Sequence, residues 1–243
     1  LYRKKYFFAL LKQIIRFAYE KKIKLFAVNG VNLNMISDEI IESLIKYQFQ
    51  KIRVSIDGAT QETYEKYRIG GDINKVFMNI NKINSLKKMS NSKYPILEWQ
   101  YIIFGHNEHE IPLAKKLAEQ YKMEFIPKLN WDETFSPVID QEFVKKITGL
   151  DFVSEKEYSK KNKKPYLSNY ICSQLINSPK INWDGKLLGC CVNNWESFGN
   201  VFKESFEKIF FSQKYQSAIN TQKGIKNHKI DIPCKKCYIY NNQ

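Results

Sequence analysis

The chain has 243 residues, 43% hydrophobic and 14% aromatic, too apolar for a disordered protein and long enough for one large domain or a domain with an appendage. Lysine and arginine outnumber aspartate and glutamate 39 to 25, a net charge of +14, but the lysines are spread along the chain and no RNA- or DNA-recognition motif accompanies them. No apolar run approaches the roughly 18–20 residues of a membrane span, so neither nucleic acid nor a membrane span is expected.

Phe7, Leu11, Ile14 and Ala18 fall at helical spacing and predict an amphipathic helix over residues 5–21. Ile23 to Val28 reads as a strand ending at Asn29-Gly30. Ser37 reads as the N-cap of a helix over 38–47. Ile52, Val54 and Ile56 mark the next strand, which stops at Asp57-Gly58. Val76, Ile80 and Ile83 share one face of a helix over 73–89. A strand over 96–104, a helix over 111–121 and a strand over 124–127 follow. This alternation predicts an α/β fold with parallel strands and right-handed crossovers. Four strands suit part of an open or partial barrel, where ligands collect at the C-terminal ends of the strands. That rim holds Asn29-Gly30, Ser55 to Gly58 and Gln100 to Asn107.

Periodicity fades after residue 130. Domain limits are therefore set at 1–130 for the α/β part, 131–170 for a linker and 171–243 for a small cysteine-rich module. The front carries no signal peptide, which points to the cytoplasm, and the chain opens on a leucine, which points to a missing native N-terminus.

All five cysteines, Cys172, Cys190, Cys191, Cys234 and Cys237, lie in the last third. Cys234-Lys-Lys-Cys237 lets two thiolates face one centre. Residues 181–188 form two short strands around Asp184-Gly185, a hairpin able to deliver Cys190 to the same point. Cys172, Cys190, Cys234 and Cys237 then suit either an all-thiolate zinc site or an iron–sulfur cluster. Cys191, beside Cys190, points elsewhere and is assigned a structural role. An odd count in a cytosolic chain argues against disulfides. His106 and His109 read as a loop and helix start rather than a metal pair, and His228 has no partner motif.

The run Ile52-Arg53-Val54-Ser55-Ile56-Asp57-Gly58, continuing through Tyr64, Arg68, Gly70-Gly71, Val76, Asn79 and Ile80, resembles the fourth-strand segment of radical S-adenosylmethionine (radical SAM) enzymes. Residues 172–190, spaced C-x12-G-x4-C, together with Asn182 to Gly185, Gly199-Asn200-Val201 and the closing C-x2-C, resemble the SPASM domain that follows the barrel in many of them.

The resemblance implies a partial (β/α)6 barrel lacking its first strands, followed by a SPASM/twitch-like hairpin and helix module. It implies that Asn29, Ser55 and Arg68 contact S-adenosylmethionine, that Asp57 supports the strand end, and that Cys172, Cys190, Cys234 and Cys237 hold one auxiliary [4Fe–4S] cluster. The family cleaves S-adenosylmethionine to a 5′-deoxyadenosyl radical at a second [4Fe–4S] cluster held by C-x3-C-x2-C. That motif is absent from this sequence, so S-adenosylmethionine and the second cluster are expected only in the complete protein, and the chain alone is expected to be inactive. The expected partners are a peptide or small-molecule substrate and a reductant such as flavodoxin or ferredoxin. The competing reading is a non-catalytic metal-binding module, iron–sulfur or a four-cysteine zinc ribbon.

Overall fold

A computed structural model describes the chain apart from residues 1, 131, 133, 164, 165, 167, 226–229 and 238–243. Contacts divide it into two units, Leu1–Ser154 and Glu155–Gln243.

The first unit runs α1 (Tyr2–Glu20), β1 (Phe26–Val31), α2 (Asp38–Lys46), β2 (Lys51–Ser55), α3 (Gln61–Tyr67), α4 (Ile73–Met89), β3 (Ile96–Ile102), α5 (Ile111–Gln120), β4 (Glu124–Lys128) and α6 (Gln141–Thr148). The strands form one parallel sheet in the order β1-β2-β3-β4. Sequential order with right-handed crossovers puts the connecting helices on a single face. The core agrees: Ile52, Val54, Leu97, Trp99 and Tyr101 point to the same layer as Ile15 of α1, Ile41 of α2, Ile80 of α4 and Ala114 of α5. Because side chains alternate along a strand, Arg53, Ser55, Glu98 and Gln100 face the other way.

Helix starts follow their capping residues. Asp72 caps α4 by accepting from the amides of Asn74 and Lys75, which fixes the helix at the bounds its periodicity predicts. Thr60 caps α3, a short helix absent from the sequence reading. Ser37 stands at the start of α2 in extended conformation, but its side chain makes no capping bond.

Three expectations are corrected. The first strand lies three residues later than Ile23, because Lys22 adopts a left-handed conformation (φ 58°) and the Ile23 amide still bonds Ala18 O at 2.7 Å, closing α1. Asn29-Gly30 therefore sits within β1 rather than beyond it. The stretch expected as a loop or linker carries α6 and, in the second unit, α7 (Glu155–Asn162). Asp140 caps α6, Gly149 closes it in left-handed conformation (φ 74°), and Val144 is fully buried. The strand expected to reach Phe104 ends at Ile102, although Ile103 and Phe104 remain buried.

The second unit continues with α8 (Ser168–Asn177), α9 (Phe206–Phe210) and α10 (Gln213–Gln222). The expected hairpin is minimal: one antiparallel bridge, Ile181 to Leu187, closes around Asp184-Gly185. Gly185 has φ 81°, and a Cβ there would fall 2.6 Å from Asn200 Oδ1, so glycine is required. A second bridge joins Lys186 to Asn200, whose Nδ2 donates to Asp184 O at 2.9 Å. The two SPASM-like segments thus brace one another. Leu175, Leu187, Phe198, Ile209, Tyr215, Ala218, Ile219 and Ile232 form a core of their own.

Candidate sites at the strand ends and in the cysteine cavity

At the end of β2, Asp57 is fully buried. Its Oδ1 accepts from the Ile102 amide at 2.7 Å, and its Oδ2 accepts from Arg68 Nε at 2.6 Å and Nη2 at 2.5 Å. Burial pushes the carboxyl above the usual aspartate range, against the pull of Arg68 and of the Ile102 amide. Arg68 also lies 4.9 Å from the Tyr67 ring centroid, so the guanidinium is held from two sides. Asn107 completes the strand end, donating to Asp57 O at 3.1 Å and Ile102 O at 2.9 Å.

Ser55 is buried, and Gln100 Nε2 donates to its hydroxyl at 3.3 Å. Gly30 packs directly on this pair: a Cβ there would stand 2.3 Å from Ser55 Oγ. Gln100 Oε1 is buried without a hydrogen-bond partner among the described residues. The structure thus brings together Gly30, Ser55 and Gln100 on one side and Asp57 with Arg68 on the other. Asn29 is exposed and its side chain makes no hydrogen bond among the described residues; its neighbour Gly30 is the one that meets Ser55.

Sequence reasoning missed the polar face itself. Glu98 is almost wholly buried between Lys51 and Arg53, whose Nε lies 2.5 Å from it. Lys128 occupies the same face on β4, where burial and the Arg53 guanidinium hold its pKa below the usual lysine range. The signal was present: Lys51, Arg53 and Ser55, then Glu98 and Gln100, alternate with apolar residues at period two.

The remaining motif residues are scaffold. Asn34 donates to Tyr64 OH at 2.9 Å and accepts from the Asp72 amide at 2.7 Å, while Asn79 donates to Leu33 O at 2.7 Å. Glu110 accepts from the amide of Ala59 at 2.6 Å and the hydroxyls of Thr60 and Thr63 at 2.6 and 3.0 Å, tying α5 to the start of α3. Burial raises the pKa of Glu98 and of Glu110, but the bonds from Arg53 and Lys51 to the one, and from Thr60, Ala59 and Thr63 to the other, outweigh it and leave both lowered.

Their stabilisation is therefore complete above the ordinary glutamate pKa of about 4.3 and is lost as pH falls through the depressed folded values. The first unit is expected to lose urea stability below about pH 4. Glu98→Gln with Glu110→Gln should be less stable at neutral pH with a flatter acid limb. An unchanged acid limb would remove these two groups as its cause.

His106 Nδ1 lies 2.8 Å from Ser136 Oγ, which also accepts from the His106 amide. Among the described residues no three His, Cys, Asp or Glu side chains converge on a point able to hold a single metal ion. His228 lies outside the described residues.

In the second unit, Cys172 of α8, Cys190 after the hairpin, and Cys234 and Cys237 on the turn Pro233–Lys236 line one cavity. Its other walls include Leu175, Leu188, Phe198, Ala218 and Pro233. Tyr215 OH bonds Leu175 O at 2.8 Å, fixing α10 to α8. Trp195 Nε1 bonds Pro233 O at 3.1 Å, fixing the loop after Cys190 to the C-x2-C turn. Burial holds the Cys190 thiol above the usual cysteine range, against the pull of the Asn193 and Val192 amides. Burial, then the neighbouring Cys190, Cys172 and Cys237, push the Cys234 thiol up to about 12. Cys191 is exposed, and its amide donates to Gln174 Oε1 at 2.8 Å.

These residues offer four soft thiolates to one apolar enclosure, a donor set that fits an iron–sulfur cluster.

Residues 172–238 match the SPASM family, described as an iron-sulfur cluster-binding domain. Over 115 residues the chain is 26% identical to GTP 3′,8-cyclase from Clostridium botulinum, a match covering 46% of this chain and 34% of that one. The chain thus spans about a third of the curated relatives' length. SuiB of Streptococcus suis bound to S-adenosylmethionine shares the fold, with a TM-score of 0.58 at 12% identity over 94% of this chain and 56% of that one. SuiB bound to precursor peptide SuiA gives 0.57 at 11% identity over 86% and 52%. In sequence and fold the chain resembles the radical SAM/SPASM enzymes. No helix among the described residues is long and apolar enough to cross a membrane.

Proposed function

We propose that the chain forms the later strands of a partial (β/α)6 radical SAM barrel together with a SPASM domain holding one auxiliary [4Fe–4S] cluster. The observation that carries this is the gathering of Cys172, Cys190, Cys234 and Cys237 around one apolar cavity within the SPASM match. The polar face of the sheet is the barrel interior. There Ser55 and Arg68 contact S-adenosylmethionine, Asp57 holds the guanidinium in place, and Asn29 stands at the outer edge. In the whole protein a second [4Fe–4S] cluster would supply the electron that cleaves S-adenosylmethionine to the radical that abstracts a substrate hydrogen.

The chain's own residues position and shield. Asp57 takes both its bonds from Arg68 on one carboxylate oxygen and commits the other to β3, so the carboxylate that orients the guanidinium is itself fixed to the strand end. Gly30 leaves room beside Ser55. Four protein thiolates fill the auxiliary cluster's ligand sites, which favours electron relay or a structural role over substrate ligation. A peptide is the favoured substrate, since SuiB shares the fold and binds a precursor peptide; a small molecule is the other class. The reductant is a flavodoxin or ferredoxin, and the compartment is the reducing cytoplasm.

The test is anaerobic turnover of the whole protein with S-adenosylmethionine and a strong reductant, read as 5′-deoxyadenosine. Arg68→Lys keeps a cation beside Asp57 but loses the planar fork. It should weaken S-adenosylmethionine binding at least about tenfold, or 1.4 kcal/mol, with iron content unchanged. Unaltered affinity removes Arg68 from the site, and no 5′-deoxyadenosine from the parent overturns the radical reading.

A further inference from the structure

We propose that Gln222 is a hydrogen-bond donor through which the C-terminal unit sets the reduction potential of the cluster at the four cysteines; this rests on the iron–sulfur reading above. Gln222 is the last residue of α10, and its side chain lines the same cavity as Cys172, Cys190, Cys234 and Cys237. Its Oε1 is buried and has no hydrogen-bond partner among the described residues. A buried amide oxygen left unbonded carries the uncompensated cost of its lost hydration. Leu175, Leu188, Phe198 and Ala218 offer no donor, and neither the Thr221 hydroxyl nor the weakly donating thiols on the same wall bond it.

Occupation by a cluster resolves this. Cluster sulfurs carry negative charge and accept hydrogen bonds, so a carbonyl oxygen facing them is repelled and an NH2 group is attracted. The two ends of a carboxamide have the same shape, and a half-turn about the last side-chain torsion exchanges one for the other. The other amide and indole side-chain donors lining the cavity are already committed. Asn193 Nδ2 donates to Leu188 O at 2.8 Å and Glu196 O at 2.6 Å, and Trp195 Nε1 donates to Pro233 O. The mounting is firm: Tyr215, Ala218 and Ile219 bury the inner face of α10, and the Tyr215 hydroxyl locks it to the helix that carries Cys172.

A donor to the cluster stabilises the reduced, more negative state, so its removal lowers the midpoint potential. The test is potentiometric titration of the chain after anaerobic reconstitution with iron and sulfide. Gln222→Met, close in size and without a donor, should retain the parent's iron and sulfide and titrate at a more negative potential. Gln222→Glu, which places a carboxylate at the wall, should shift it further the same way. If Met disturbs assembly, Gln222→Leu, likewise without a donor or a charge, carries the test. Parental potential in a fully loaded variant overturns the assignment of Gln222. A parent chain that takes up no iron and sulfide overturns the cluster reading instead, so the two failures are distinct.

Discussion

Replacing Cys190 or Cys234 with alanine is expected to abolish the iron–sulfur chromophore and to destabilise the C-terminal unit. Both thiols line the cavity, one following the Asp184-Gly185 hairpin and the other anchored in the turn that Trp195 holds. Binding energy at a site that the unfolded chain lacks is folding energy. A ligand present at a hundred times its dissociation constant contributes about 2.7 kcal/mol. In a unit of this size that corresponds to a loss of about 10 °C or more in melting temperature. Cys191→Ala should change neither iron content nor melting temperature, because the thiol is exposed and only its backbone amide is used. Full iron in the Cys190 or Cys234 variant would contradict the ligand assignment, and loss of iron in Cys191→Ala would show that the wrong neighbour was chosen.

Asp57→Ala is expected to be the most damaging single change in the first unit. The carboxylate has no solvent exposure and joins three elements: the end of β2, the last amide of β3 and Arg68 beyond α3. Breaking a buried pair by deleting one partner costs about 3–5 kcal/mol. Urea unfolding of the first unit should report that loss. Asp57→Asn keeps an acceptor for the Ile102 amide and should cost less. A loss below about 1 kcal/mol in the alanine variant would mean that Arg68 and β3 find other partners, and that Asp57 does not hold the rim.

The sequence was most legible where local chemistry and tertiary packing agree. Val76, Ile80 and Ile83 set the buried stripe of α4, and Asp72 caps it, so periodicity and structure coincide. The cysteines could be grouped from spacing alone because the Asp184-Gly185 turn brings distant thiols together. The first strand was misplaced because Ile23 looks like strand by composition, yet its amide closes a helix. The region after residue 130 looked like a loop or linker because α6 is short and mostly polar. Its Asp140 cap, Val144 and Gly149 were nonetheless in the sequence.

The polar face of the sheet was legible only in part. Ser55 and Asp57 came with a motif, whereas Glu98, Gln100 and Lys128 acquire meaning only once the register places them beside β2 and its extension. No local pattern marks Gln222, since its significance comes from a cavity assembled by residues far apart in the chain.

The central claim is the auxiliary cluster, and it is tested most directly by measuring iron, acid-labile sulfide and zinc per chain after purification and reconstitution without oxygen. About four irons with matching sulfide are expected. One zinc per chain with no sulfide would contradict the account and make the cysteine cavity a structural zinc site.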